Sequence, residues 1–291
     1  MTMKKIAILG CENSHANAFL KFIKEKEEFS DIECIGVYSV DTAASQKLSD
    51  TFGVPVLVNY DSAVGMIDGL VITARHGGDH YKFAKPYIES GIPMFVDKPI
   101  TICEDEALEF MKELKARETR ISGGSSLKQD VFVSELKKDA LEENGGKTIG
   151  GFVRAPVQLE NAYGNFYFYA QHLVEMVCEI FGRFPLSVEA KQNGKQINVL
   201  FHYENYDCVG LFCDGSYLYY AARMAEKASK SFEIPTTSDW YYREFKEFAE
   251  ILCGGDQTCT YEEFISPVFI MNAIERSLES GKAEEIPSYT V

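Results

Sequence analysis

The chain has no surplus of positive charge. Its 291 residues carry 29 Lys and Arg against 44 Asp and Glu, a formal net charge of −15. Such a balance repels phosphate backbones and anionic lipid surfaces, which argues against nucleic-acid or membrane-surface binding as a main function. Long apolar runs are missing too, and no segment approaches the roughly 20 residues of a membrane-spanning helix. The apolar run after the first five residues is too short for the core of a secretory signal, so a cytoplasmic location is expected. The eight cysteines form no C-x-x-C pair and no Cys/His cluster with zinc spacing. Free buried thiols in a reducing compartment are expected for Cys34, Cys178 and Cys208, which sit inside apolar runs. Internal repeats and low-complexity linkers are also absent.

What is present suits two domains: a length of 291 residues, 46% hydrophobic residues and 25% charged ones. Residues 5–10 read as a continuous apolar strand ending in Gly10. Helical spacing follows over 16–23, where Asn13 or Ser14 can supply the cap. Further strands are expected at 33–39, 54–57, 68–73, 92–96 and 120–124. Helices are expected at 42–52, around 62–64, at 81–90 and at 104–117. This β-α alternation predicts a Rossmann-type, doubly wound parallel sheet over residues 1–123. From residue 124 the pattern changes to α+β. Helices are expected at 130–141, 169–181, 240–252 and 266–280, with strands at 148–156, 186–191, 196–203, 207–213 and 217–222. Turns at Asn193-Gly194, Asn205-Tyr206 and Asp214-Gly215-Ser216 predict consecutive hairpins. Residues 124–291 therefore read as a second domain with a large, mainly antiparallel open-faced sheet.

Four places carry residues with chemical potential. The turn from Gly10 through Cys11, Glu12, Asn13 and Ser14 to His15 stands where a dinucleotide phosphate loop would open. Of the G-x-G-x-x-G pattern only Gly10 is kept, with Glu12 and His15 at the other glycine positions, so an ordinary strand-to-helix turn is the competing reading. At the end of the next strand Ser39 occupies the position of the usual ribose-binding acid, and Asp41 reads as a helix cap. The loop from Thr73 to His80 holds Arg75, His76, two glycines and Asp79. His76, Asp79 and His80 are types that ligate metals, but no second cluster accompanies them and no metal is expected. A buried strand ends in Asp97-Lys98-Pro99, where a lysine is costly unless paired or working; a solvated surface turn is the alternative. Finally His172 opens an apolar helix after a dense aromatic stretch, with Glu175 three residues on. It is either an acid–base group or a satisfied core histidine.

Together these parts resemble the Gfo/Idh/MocA oxidoreductases, the family of glucose–fructose oxidoreductase and inositol dehydrogenase. The likeness spans essentially the whole chain. The family's E-K-P motif stands here as Asp97-Lys98-Pro99, and His172 matches its catalytic histidine. The resemblance implies an NAD(P)-dependent dehydrogenase acting on a sugar, cyclitol or related polyhydroxy compound, with Lys98 and His172 as catalytic residues at the domain cleft. It implies NAD or NADP held by Gly10, Asn13, Ser14, His15, Ser39, Thr73, His76, Asp97, Lys98 and Pro99. Tyr167, Tyr169 and Glu175 are candidate substrate contacts, and Tyr163 a candidate stacking ring. A homodimer or homotetramer is expected, since an open apolar sheet face needs covering. The sequence departs from the pattern at Glu12, at His15, in the loop after Thr73 and at Phe168, where the family often has an aspartate. Two alternatives follow: a nucleotide- or sugar-binding regulatory protein without turnover, or a redox-assisted lyase or glycosidase.

Overall fold

The computed structural model describes residues 3–237 and 239–291; Met1 and Thr2, which precede the first expected strand, lie outside them. The first sheet is built from β1 (Lys4–Leu9), β2 (Ile32–Tyr38), β3 (Gly69–Ile72), β4 (Met94–Asp97) and β5 (Ile121–Gly124). Its order is β2-β1-β3-β4-β5 and every pairing is parallel. The connecting helices are α1 (Ser14–Glu25), α2 (Thr42–Phe52), α3 (His80–Ala84) and α4 (Glu104–Ala116). Asn13 caps α1 and Asp41 caps α2, as their residue types suggest. The strands end at one edge of the sheet, which is where open parallel sheets gather their ligand sites.

Three local expectations fail. The helix expected around 62–64 is only a run of turns over residues 60–66. Residues 54–57 form only an isolated bridge, Val37 to Val56, because Pro55 has no N–H for a ladder and the chain turns away at once. The helix expected over 81–90 ends as α at Ala84 and tightens into a 3₁₀ segment over Lys85–Ser90. Pro86 sits at the change and cannot donate back to the preceding turn.

The second sheet comprises β6 (Thr148–Val157), β7 (Ser187–Asn193), β8 (Gln196–His202), β9 (Asp207–Asp214), β10 (Tyr219–Ala225), β11 (Ser229–Ile234) and β12 (Glu284–Glu285). Its order is β11-β10-β6-β9-β8-β7-β12. The turns at 194 and 205 make hairpins, but the turn at Asp214-Gly215-Ser216 does not. There β6 lies between β9 and β10, parallel to β9 and antiparallel to β10. A turn sequence fixes local geometry and cannot report that a strand from earlier in the chain has taken the neighbouring place. The polar edge strand β11 was not anticipated, since Ser, Lys and Glu give it little apolar signal.

Helices α5 (Val131–Leu141), α6 (Tyr167–Phe181), α7 (Asp239–Leu252) and α8 (Tyr261–Ser280) complete the fold. The last begins five residues before its expected start at 266, on a capping box between Thr260 and Glu263. Helix α7 returns to the first sheet. Its Phe245, Phe248, Ile251 and Leu252 share a core with Ile6, Ile8, Phe19 and Phe95. Each such fully buried phenylalanine contributes about 1.5–3 kcal/mol. Helix α8 likewise sends Phe264, Val268 and Phe269 among the residues of β3, β4 and α4. One face of the second sheet packs on α6, and its outer face carries Leu200, Val209, Phe152 and Ala222 opposite one another across four strands.

A latch on α6 holds the exit of β4. The Ile100 N–H donates to Gln171 Oε1 (3.1 Å), and Gln171 Nε2 donates to Glu175 Oε2 (3.2 Å). Arg183 donates to the other Glu175 oxygen (3.0 Å). Gln171 is fully buried, so nothing else can satisfy these groups. Replacement by a near-isosteric apolar side chain leaves a buried donor and a carboxylate oxygen unpaired. Gln171→Leu is expected to lower stability by about 1–3 kcal/mol in urea unfolding.

Candidate functional site

The segment Asp97-Lys98-Pro99 leaves the interior strand β4 and is buried throughout, not a surface turn. Asp97 accepts from the Lys98 N–H (2.7 Å) through Oδ1 and from Asn13 Nδ2 (2.7 Å) through Oδ2. Lys98 Nζ lies 3.4 Å from the Phe168 carbonyl oxygen and over the rings of Phe168 (4.6 Å) and Tyr169 (5.2 Å). Burial lowers its pKa, against the opposing pull of Asp97 and Glu244.

His15, at the third glycine position of the first turn, is also buried. Its Nδ1 lies 3.2 Å from Asp97 Oδ2 and its Nε2 3.1 Å from Glu244 Oε2 on α7. The Tyr241 ring covers it with centroids 4.3 Å apart. Burial alone would lower the pKa of His15, but the carboxylates of Asp97 and Glu244 outweigh it and hold the imidazole above its usual 6.5. Burial pushes Glu244 up, and its Oε1 is buried without a hydrogen-bond partner. One imidazolium thus ties α1, the end of β4 and α7 together.

His172, on α6, faces Lys98 across the cleft between the sheets. Its Nδ1 lies 2.7 Å from Ser125 Oγ, at the exit of β5, which leaves Nε2 as the ring nitrogen free to serve a ligand. Burial, then the charges of Lys98 and His15, hold it well below the usual 6.5, so the ring is neutral. Lys98 and His172 line one cavity of about 600 Å³ with Asn13, Ser14, Arg75, Tyr163, Tyr169 and Tyr217. Trp240 closes another side, its indole N–H donating to Asp130 (2.7 Å).

Two expected substrate contacts lie elsewhere. Tyr167 turns into the core of the second sheet, one residue of helical rotation away from Phe168. Glu175 is held by Arg183 and Gln171 behind α6 and does not line the cavity. The helical spacing that pairs His172 with Glu175 is real, but Glu175 serves the latch. Arg75, Tyr217, Trp240, Tyr241 and Glu244 were not among the expected site residues. Arg75 had a signal, as an arginine at a strand's carboxyl end; the others come from distant loops and helices with none.

Around the first turn, Gly10 has φ +74° and a Cβ there would stand 2.2 Å from the Ala74 nitrogen, so only glycine fits. Thr73 donates to the Gly10 carbonyl (3.0 Å), which gives it a structural role. Ser14 lies 3.1 Å from the Tyr241 hydroxyl, and His76 accepts from the Gly78 N–H (3.1 Å). Pro99 packs against Gly77, where a Cβ would be 2.6 Å away. Glu12 leans across the sheet edge: Ser39 Oγ donates to one carboxylate oxygen (2.6 Å) and the Arg75 N–H to the other (3.0 Å). Its carboxylate is therefore held across the end of β1, between the exits of β2 and β3, with one oxygen on the β2 side where an adenosine ribose would sit. His15 points inward and leaves the turn clear. The residues present fit a dinucleotide that carries free ribose hydroxyls: a glycine turn, a helix amino end and a carboxylate at the ribose corner.

Fold and cleft define a two-part protein whose parallel dinucleotide-type sheet shares a polar cavity with an open mixed sheet. Residues 4–125 match the model of the Gfo/Idh/MocA oxidoreductase family, described as having an NAD-binding Rossmann fold. No curated protein sequence matches the chain. Its fold is that of a putative myo-inositol dehydrogenase from Sinorhizobium meliloti, at 14% identity and TM-score 0.84 over 98% of this chain and 100% of that one. A myo-inositol dehydrogenase from Corynebacterium glutamicum is similar at 14% identity and TM-score 0.83, over 99% and 100% of the two chains. So is a scyllo-inositol dehydrogenase from Lactobacillus casei with bound NAD(H) and scyllo-inositol, at 14% identity and TM-score 0.84, over 99% and 100%.

The buried imidazolium makes stability depend on pH. The folded-state pKa of His15 is raised, so its contribution is complete below about 6.5 and is lost as pH rises through the folded value. His15→Gln leaves two buried carboxylates without their cation, at a cost of about 3–5 kcal/mol. The stability gap between wild type and this variant is expected to be largest near pH 6 and to narrow toward pH 9. Denaturant unfolding across that range measures it, and a gap that does not change would rule out a charged His15.

Proposed function

We propose that the chain is an NAD-dependent dehydrogenase acting on the carbinol group of a polyhydroxy compound, a sugar or a cyclitol. The observation that carries this reading is that Lys98, just past the end of β4, and His172, on α6, line one cavity beside the dinucleotide edge. The Lactobacillus casei structure of the same fold holds NAD(H) and scyllo-inositol, which supports a cofactor and a polyol in one cleft.

Gly10, Asn13 and the amino end of α1 would hold the pyrophosphate, and Glu12 the adenosine ribose. NAD, when bound, supplies the hydride acceptor. Lys98 donates a hydrogen bond to the reacting oxygen and stabilises its developing negative charge. His172 takes the hydroxyl proton at Nε2, while Ser125 holds Nδ1 and so fixes the ring. The depressed pKa keeps His172 neutral and ready to accept a proton at neutral pH. The rings under Lys98 keep water from its ammonium group. We further assign the outer row Leu200, Val209, Phe152 and Ala222 to contact between copies in a homodimer or homotetramer, which sedimentation of the wild type and of Val209→Glu would test. Sedimentation of the wild type as a monomer would exclude it.

In a turnover screen over neutral and charged polyols with NAD and NADP, Lys98→Ala is expected to lower kcat/KM by about 10²–10⁴-fold, the usual range for a positioned proton-transfer or charge-stabilising group. Unchanged turnover in the variant would sink the mechanism. Cofactor choice follows from Glu12, whose carboxylate repels a 2′-phosphate at the β2 corner. NAD is expected to bind more than about tenfold tighter than NADP, a difference of 1.4 kcal/mol or more, and Glu12→Gln to close most of that gap in calorimetry. Equal binding of the two cofactors by the wild type would remove this role.

A further inference from the structure

The cavity that holds Lys98 and His172 has an unexpected electrical sign. In a chain with 44 acidic and 29 basic residues, its wall carries Arg75, Lys98 and an edge of the carboxylate-paired His15, and no aspartate or glutamate among the described residues. The nearby carboxylates are turned away from it: Asp97 and Glu244 are spent on His15, and Glu12 on Ser39 and the Arg75 N–H. Phe168 offers a ring to Lys98, not a counter-charge.

Arg75 is the odd group. Its guanidinium stacks on Tyr163 at 5.1 Å and donates one hydrogen bond to the Tyr163 hydroxyl (3.2 Å). Among the described residues it forms no ion pair. A guanidinium has five N–H donors in a planar fork suited to a carboxylate, so most of its capacity is unused. The backbone and side chain of Arg75 face different ways. Its N–H serves Glu12 at the dinucleotide edge, while its side chain lies along Tyr163, whose ring meets Phe168 with centroids 5.1 Å apart. Arg75, Tyr163, Phe168 and Lys98 thus form one continuous wall, with a cation at each end and the reacting oxygen's place at the Lys98 end.

We propose that the substrate is a polyhydroxy acid, a sugar or cyclitol bearing a carboxylate, and that Arg75 takes this carboxylate while Lys98 and His172 address a hydroxyl further along the ring. This deepens the dehydrogenase reading and rests on it for the site, but its test does not require turnover. The chain's one tryptophan, Trp240, stands in the cavity wall, so its fluorescence reports occupancy directly.

The experiment titrates the full-length protein with glucuronate, galacturonate and gluconate and with neutral glucose, galactose and myo-inositol, following Trp240 emission with and without saturating NAD. The acids are expected to bind at least about tenfold tighter than their neutral partners, one well-placed ion pair's worth. Arg75→Gln is expected to bring the two sets to within two- or threefold, and Arg75→Lys to retain part of the preference. The preference is also expected to fall as salt rises, which tests the claim on wild-type protein should the variants misfold. Equal binding of acids and neutral polyols, or a preference that survives Arg75→Gln, overturns the proposal. So does a preference that disappears once NAD is bound, because Arg75 would then belong to the pyrophosphate. Selective binding of acids without NADH formation would keep the anion assignment and overturn the dehydrogenase reading. Oxidation of neutral polyols with no acid preference would do the reverse.

Discussion

The site depends on one buried ion cluster. His15 stands between Asp97 and Glu244, at 3.2 and 3.1 Å, with almost no access to water. Each of the three comes from a different part of the chain: the first turn of α1, the end of β4 and helix α7. A charge in such surroundings is tolerated only with its partners in place. The cluster therefore fixes where β4 ends relative to α1 and α7, and with it the backbone from which Lys98 projects. The histidine that removed a glycine from the expected phosphate loop is the centre of this arrangement.

The second determinant is the division of acids from cations at the sheet edge. The carboxylates nearest the cleft are all engaged behind it or beside it, and the cavity is left with Lys98, Arg75, a neutral His172 and an edge of the paired His15. That division gives the two catalytic candidates opposite tasks. Burial lowers the pKa of the lysine, and burial plus neighbouring positive charge keeps the histidine unprotonated. Aromatic faces, at Phe168, Tyr169 and Trp240, supply the dry wall that both effects need.

The β-α alternation of the first sheet was legible because most of β1 and all of β3 and β4 are buried on both faces and so read as apolar runs. Lys98 and His172 were legible because a lysine at the end of such a run and a histidine in an aromatic helix start are chemically out of place. Tyr167 and Glu175 were misplaced for a different reason. Helical spacing says which residues share a face, but not whether that face looks into the cleft or into the protein. On α6 the neighbouring rotations separate Phe168 and Tyr169, beside Lys98, from Tyr167, in the core. The crossover between β9 and β10 escaped for a similar reason, since its partner β6 is more than fifty residues away in sequence.

By itself the sequence determined the parallel sheet, a mainly antiparallel second sheet, the charged end of β4 and the choice of Lys98 and His172 as candidates, because these rest on local patterns of burial and on chemical types. The tertiary structure alone decided that His15 stands between two carboxylates, that Glu12 bridges Ser39 and the Arg75 N–H, that Glu175 belongs to a latch and that Arg75 faces the cavity unopposed. Each of these turns on which distant group a charged side chain meets. A charge in a low-dielectric interior takes its role from that partner, and pairing across the fold leaves no periodic trace in the chain.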